Sequence, residues 1–122
     1  MNNNYFLFLD DERIPSDVFW RALPVPQEDQ EWVIVRSPQA FMDHIQTHGL
    51  PLFVTFDHDL QDQSEIEVKG VQCAQWLVDY CLDNNMRLPA FEVHSKNGEG
   101  EKNIRSLLEN FKQHQNRYRP KI

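Results

Sequence analysis

Leu52-Phe53-Val54-Thr55-Phe56-Asp57-His58-Asp59-Leu60 is the stretch that decides the fold. Five aromatic, β-branched or aliphatic residues run into three ionisable ones, which is typical of a buried parallel strand that carries polar groups at its carboxyl end. Packing gives no reason for two carboxylates and an imidazole directly after an apolar strand. We therefore predict that Asp57, His58 and Asp59 belong to a functional site.

A second run of the same design lies near the start of the chain, where the apolar segment from Tyr5 to Leu9 ends at Asp10, Asp11, Glu12 and Arg13. Paired carboxylates at a strand end suit a hard divalent cation such as Mg²⁺ or Mn²⁺. An acidic surface turn is the alternative interpretation of a single Asp-Asp pair. Because two separate strand ends carry acids, a metal site and an acidic turn are about equally well supported by the pattern.

The rest of the chain alternates strand-like and helix-like patterns. Strands are expected at residues 5–9, 31–36, 52–56 and 88–93, and helices at residues 18–23, 38–48, from 70 onward and after 100. The helix at 18–23 can only be short, because prolines lie on both sides of it. This order predicts an α/β fold, a flavodoxin-like three-layer sandwich with a mostly parallel sheet of four or five strands in the order 2-1-3-4.

Polar side chains follow three of these strands. Asp10 and Asp11 follow the first strand, Asp57 follows the third, and His94 and Ser95 follow the fourth. The first and third strands are neighbours in the predicted order, at the switch point where such folds bind ligands. We therefore expect these side chains to converge in one site.

Two glycines follow the fourth strand and precede a helical pattern. Gly98 and Gly100 come directly after Asn97, and Asn103 lies in the first predicted turn of the helix. Backbone N–H groups and the helix dipole can hold a phosphate at such a point. Glycines before a helix are common, so this pattern alone does not identify a site.

Length and charge limit the classes of function. The chain has 122 residues, which predicts one domain over 1–122, with a polar tail at about 112–122. Its formal net charge of −7 argues against sequence-independent capture of nucleic acid. It has no apolar run that could span a bilayer and no start typical of a signal peptide, so we expect a cytoplasmic protein without a membrane partner. Cys73 and Cys81 would lie about 12 Å apart on a helix, which predicts reduced, buried thiols.

The chain resembles the cyclic-phosphate processing receiver domain family in three motifs that occur in the family's order and spacing. The motifs are Leu9-Asp10-Asp11-Glu12-Arg13-Ile14-Pro15, Phe56-Asp57-His58-Asp59-Leu60, and Val93-His94-Ser95-Lys96-Asn97 with Gly100, Asn103 and Ile104. The resemblance implies a receiver-like fold and a role in processing cyclic phosphates, such as RNA 2′,3′-cyclic ends or cyclic nucleotides. By matched position, it implies that Asp10, Asp11 and Asp57 correspond to the acidic pocket and phosphoacceptor of response-regulator receivers.

Two positions depart from the family's pattern. Lys69 stands where relatives tend to have threonine, and Gly98 stands where many have proline. The final strand of a receiver and its lysine are not evident in the sequence either. The first two departures concern the loop over the site and the phosphate loop. The lack of an evident final strand and its lysine argues against conventional phosphorelay signalling.

Opening a cyclic phosphodiester requires an activated water or hydroxyl, a proton for the leaving oxygen, and positive charge for the phosphate oxygens. We expect a metal site for Mg²⁺ or Mn²⁺ formed by Asp10, Asp11, Asp57 and Asp59. We expect catalytic roles for His58, His94 and Asp57, and substrate binding by Arg13, Ser95, Asn97, Gly100 and Asn103. The expected function is a metal-dependent phosphodiesterase whose substrate is a cyclic nucleotide or an RNA end that carries a cyclic phosphate.

Two other classes of function fit the same residues. One is a non-catalytic receiver-like module that binds or sequesters a cyclic nucleotide or a protein partner. The other is a phosphorylatable receiver that uses Asp57 as the acceptor. The ring type of the substrate and the oligomeric state are left open by the sequence.

Overall fold

Four parallel strands form the sheet in the computed structural model, which describes residues 4–57, 70–96 and 98–117. The strands are β1 (Tyr5–Leu9), β2 (Glu31–Val35), β3 (Phe53–Phe56) and β4 (Ala90–Val93). They lie in the order β2-β1-β3-β4, with all three pairings parallel. The predicted α/β class, flavodoxin-like order and four-stranded form of the sheet are thereby confirmed.

The helices are α1 (Pro38–His48), α2 (Gly70–Asp83) and α3 (Gly98–Arg117). Helix α1 has the predicted bounds, because Pro38 fits its first position and the Ser37 hydroxyl accepts a hydrogen bond from the N–H of Ala40 at 3.2 Å. It ends at Gly49, whose φ of 88° is a conformation that residues with a side chain rarely adopt. No helix of the described ranges is long and apolar enough to cross a membrane.

Alternation along β1 divides its side chains between the two faces of the sheet. Leu7 and Leu9 pack in the main core, which also contains residues of all three helices. Phe6 and Phe8 point to the opposite face, where both rings meet Trp32 edge to face. Their ring centroids lie 5.4 and 5.9 Å from that of Trp32. Residues of the connection between β1 and β2, among them Val18 and Leu23, line a cavity together with Trp32 on that second face.

The connection contains one turn of 3₁₀ helix at Pro15–Asp17, where the Asp17 carboxylate accepts a hydrogen bond from the N–H of Ile14 at 3.0 Å. The predicted short helix at residues 18–23 is wrong, because the chain is already extended at Val18. The indole Nε1 of Trp20 donates to the carbonyl oxygen of His94 at 2.8 Å. This bond ties the connection to the end of β4, and no pattern within residues 18–23 could have indicated it.

Helix α3 continues beyond the predicted start of the tail at residue 112 and ends at Arg117. Gln115 explains the extension, because its amide donates to the carbonyl of Met86 at 2.9 Å and accepts from the N–H of Leu88 at 3.0 Å. Because the N–H of Leu88 bonds to the Gln115 side chain, Leu88 is not part of the fourth strand as predicted. Pro89 lacks an N–H donor, so β4 begins only at Ala90.

Both cysteines are free and buried, as predicted. Desolvation raises the pKa of Cys73 to about 12 and that of Cys81 to about 11. Trp76 and Tyr80 stack on one another against the core. His48 is exposed, whereas His44 is half-buried and its ring meets that of Tyr5 edge to face.

Candidate functional site

Three carboxylates meet where β1 and β3 end. The register pairs Leu9 with Phe56, so the residues that follow them are neighbours, and the N–H of Asp57 donates to the carbonyl of Leu9 at 2.9 Å. One carboxylate oxygen each from Asp10, Asp11 and Asp57 lies within 4.8 Å of the other two. Asp10 and Asp57 are buried and Asp11 is half-buried. The structure thus brings together the acids that the sheet order predicts to converge, in a group that could hold a cation.

Asp10 is fixed in place by four donors. Its Oδ1 atom accepts hydrogen bonds from the backbone N–H groups of Glu12 at 2.9 Å and Arg13 at 3.0 Å. Its Oδ2 atom lies 3.0 Å from Nε2 of His94 and 3.4 Å from Nη1 of Arg13. The side chain is therefore oriented before any ligand binds.

Two opposing effects determine the pKa of Asp10. Desolvation by burial acts to raise it, while the hydrogen bond from His94 and those from the two backbone N–H groups act to lower it. The hydrogen bonds together outweigh desolvation and lower the pKa of Asp10 to about 2. Asp10 is therefore an ionised carboxylate at neutral pH, which is the form that binds cations.

His94 is fully buried, with 0% of its surface exposed. Its ring stacks on Phe8 with centroids 4.5 Å apart and planes 11° apart, while Nδ1 lies 2.8 Å from Oγ1 of Thr55. Because the ionised Asp10 can only accept, Nε2 carries a proton and donates to it. Both ring nitrogens of His94 are therefore engaged inside the protein, with no exposed atom for a substrate.

Sequence reasoning missed Thr55, the polar partner of His94. Thr55 is buried in β3, and it lies on the same face as Asp57 because side chains alternate along a strand. A hydroxyl within an otherwise apolar strand, two residues before a carboxylate, was the available signal. It could have indicated a buried polar group that leads into the site.

A second group that sequence reasoning missed surrounds Trp20. The guanidinium carbon of Arg13 lies 5.2 Å from the centroid of the Trp20 ring, and Nζ of Lys96 lies 4.4 Å from it. Phe19 meets Trp20 edge to face, with ring centroids 5.1 Å apart. Two cations and two aromatic rings therefore lie together. Arg13 connects this group to Asp10, because its guanidinium forms an ion pair with the Asp10 carboxylate.

The start of α3 differs from the predicted glycine loop. Gly98 and Gly100 lie inside the first turn of the helix rather than before it. The same turn carries Glu99 and Glu101, and Glu101 forms an ion pair with Arg21. Carboxylates stabilise a helix N-terminus in the way that a bound anion would, so this turn already has its negative charge.

The other predicted binding residues have different surroundings. Ser95 is buried next to His94, Asn103 is exposed on α3, and Arg13 keeps 31% of its side chain exposed. Three predicted site residues, His58, Asp59 and Asn97, lie outside the described residues. The acidic segment 61–69 also lies outside them.

The family model of the cyclic-phosphate processing receiver domain matches this chain over residues 5–110. The chain belongs to that family. The match spans β1 through most of α3, so the acids, His94 and the aromatic group around Trp20 all fall within the receiver-like domain. The domain therefore takes part in cyclic-phosphate processing.

One solved structure has a similar fold. It is described as the yeast Spc42 trimeric coiled coil, amino acids 181–211, fused to another structure, and the match has 13% identity and a TM-score of 0.53. It covers 98% of this chain and 87% of that chain. At this identity the likeness concerns the fold alone. A comparison with curated proteins gave no match.

Proposed function

We propose that this receiver-like domain is a metal-dependent phosphodiesterase that opens a cyclic phosphate on an RNA 2′,3′-cyclic end or a cyclic nucleotide. The observation that carries the proposal is the cluster of Asp10, Asp11 and Asp57, in a chain that belongs to a cyclic-phosphate processing family. Three converging carboxylates have a high cost in mutual repulsion unless a cation or proton offsets it. The cluster therefore fits a site that works with a bound cation.

The donor set suits Mg²⁺ or Mn²⁺. All three side chains offer oxygen atoms, which hard divalent cations prefer, and Asp10 is ionised at neutral pH. Asp59, the neighbour of His58 after β3, is proposed as a further ligand. When bound, the cation supplies positive charge to the phosphate oxygens.

His94 acts in this proposal as a positioning residue rather than as the acid or base expected from the sequence. Its ring is buried between Phe8 and the two polar partners, Thr55 and Asp10. It holds the Asp10 carboxylate in one orientation, as the partner of a metal ligand commonly does. Proton transfer at the reacting oxygens is then assigned to His58, together with Asp57, which precedes it in the chain.

Positive charge for the phosphate comes from Arg13 in this proposal. The side chain of Arg13 is partly exposed and lies next to the acids, so its guanidinium can reach an anion bound beside them. Ser95, Asn97, Gly100 and Asn103 remain the candidates for further hydrogen bonds to the substrate. Because Glu99 and Glu101 are in the first turn of α3, we expect these residues to contribute less than Arg13.

The test is product formation. The purified protein is incubated with Mg²⁺ or Mn²⁺ and with 2′,3′-cyclic and 3′,5′-cyclic nucleotides or oligonucleotides that end in a cyclic phosphate, and products are separated by chromatography with mass detection. We expect a linear monophosphate that disappears in Asp57→Asn and His58→Ala. Asp83→Asn, an exposed acid at the end of α2, is the matched control and should retain turnover. Retention of a substrate on the protein without any product would replace the proposal with a binding or sequestering module.

A phosphorylatable receiver is the second candidate, favoured by the position of Asp57 at the end of β3 beside Asp10 and Asp11. In that reaction a carboxylate oxygen of Asp57 attacks the phosphorus of an acyl phosphate and the acid leaves. Incubation with an acyl phosphate and Mg²⁺ should then add one phosphoryl group by mass, which Asp57→Asn should abolish. An unchanged mass would count against this candidate.

A further inference from the structure

We propose that the exposed ring of Phe19 is a stacking platform for the nucleobase of the substrate. This inference rests on the proposed function, since it assigns the substrate to the nucleotides and names the part of the protein that reads the base. It concerns Phe19 and Trp20 in the connection between β1 and β2, two residues to which no sequence pattern assigns a role.

Phe19 is 85% exposed. A single apolar side chain at the surface is common, so exposure alone indicates nothing. The surroundings of this ring are what distinguish it. Nζ of Lys96 lies 5.7 Å from its centroid, and Trp20 contacts it edge to face at 5.1 Å. The ring is therefore held beside a cation, yet most of its surface is left to solvent.

Trp20 anchors the platform. Its indole donates to the carbonyl of His94, and the cations of Arg13 and Lys96 lie over its ring. These contacts fix the backbone next to Phe19, which reduces the entropy that the loop would lose when a ligand stacks on the ring. Trp20 is thus a support, and Phe19 is the ring available for contact.

Arg13 connects the platform to the acids, because its guanidinium touches both the Trp20 ring and the Asp10 carboxylate. A nucleotide carries the complementary features, an anionic phosphate and a flat aromatic base. Stacking on an aromatic side chain tolerates any base, because every base has a π face. The geometry therefore favours binding that depends on the presence of a base rather than on its identity.

Binding separates this inference from the proposed catalysis. Isothermal titration calorimetry in Mg²⁺ compares adenosine 3′-monophosphate with ribose 3-phosphate, which has the same phosphate and lacks the base. We expect wild type to bind the nucleotide about tenfold more tightly than the sugar phosphate. Phe19→Ala should remove that preference and leave the affinity for ribose 3-phosphate unchanged.

Three variants make the test specific. Phe19→Tyr keeps an aromatic face and should keep the preference, whereas Phe19→Leu keeps apolar surface and should lose it. Val25→Ala changes an apolar side chain in the same connection that is 83% exposed, and it should behave as wild type. Circular dichroism of each variant verifies that the fold is intact.

Equal affinity of wild type for the two probes would overturn the inference, as would equal weakening of both in Phe19→Ala or no binding of either at millimolar concentration. These outcomes are independent of turnover. A domain that prefers the nucleotide through Phe19 and yet opens no cyclic phosphate would overturn the proposed catalysis and uphold the platform.

Discussion

The Nε2 atom of His94 lies 3.0 Å from Oδ2 of Asp10, although 84 residues separate the two in the chain. The imidazole belongs to the end of β4 and the carboxylate to the end of β1, and both are buried. This bond joins the acids of the central strands to the edge strand of the described sheet. Together with the backbone N–H groups of Glu12 and Arg13, it explains why the carboxylate of Asp10 is ionised and oriented despite its burial.

Removing His94 should therefore destabilise the fold. His94→Ala removes one of the four donors to the buried Asp10 carboxylate and creates a cavity beside Phe8, so we expect the free energy of unfolding to fall by about 3 kcal/mol. His94→Gln can still place one N–H donor near Asp10 and should lose less. Urea denaturation in EDTA measures both variants, with His48→Ala at an exposed histidine as control. Equal stability of His94→Ala and His48→Ala would contradict the positioning role.

Acid should remove the contribution of Asp10. Its pKa is about 2 in the folded protein and 3.8 for an ordinary aspartate, so the folded state binds this proton more weakly than the unfolded state does. The stabilisation is fully present well above pH 3.8 and is lost as pH falls through about 2. Urea titrations of wild type and Asp10→Asn without metal should show a stability difference that changes over this range, with wild type losing more. Parallel curves down to pH 2 would refute this assignment.

Divalent cations should stabilise the protein through the acid cluster. We expect Mg²⁺ or Mn²⁺ at a hundred times the dissociation constant to add about 2.7 kcal/mol, and hence several degrees in Tm. In Asp11→Asn and Asp57→Asn the metal-dependent rise should be largely absent, while Tm in EDTA should increase because one carboxylate of the cluster is neutral. Asp83→Asn should retain the full response. Thermal melts in EDTA and in metal measure the basal Tm and its metal-dependent rise for each variant. A full rise in Asp57→Asn would exclude Asp57 as a ligand.

The end of α3 should depend on Gln115. Gln115→Ala removes the bonds to Met86 and Leu88 and leaves the Leu88 N–H without its partner, so we expect a loss of about 1 to 2 kcal/mol. Gln113→Ala changes an exposed glutamine two residues earlier and should be nearly neutral. Hydrogen exchange at the Leu88 amide provides a local measurement. Unchanged protection of that amide in Gln115→Ala would contradict the proposed anchoring.

The sheet could be predicted from the sequence because its signals are local. The runs at β1 and β3 are short and consist of aromatic, aliphatic or β-branched residues, and the Ser37-Pro38 pair marks the start of α1. Parallel strands joined by helices allow few arrangements. The convergence of Asp10, Asp11 and Asp57 follows from the strand order alone.

The remainder depends on contacts between distant residues. The conformation near Trp20 is determined by a carbonyl 74 residues away, and the last turns of α3 by the loop that Gln115 contacts. The sequence places His94 at a strand end but does not tell whether the imidazole faces solvent or the interior. Its burial depends on Phe8 and Thr55, which lie on two other strands.

Because every pairing in the described sheet is parallel, no two neighbouring strands can form as an isolated hairpin. During synthesis, the acids of β1 lack their neighbouring carboxylate until β3 has emerged, and Asp10 lacks its imidazole until β4 follows. The cluster is therefore completed late, and a fragment that ends before β4 lacks the imidazole that orients Asp10. Cation binding at these acids should accordingly report completed folding of the chain rather than the formation of any single segment.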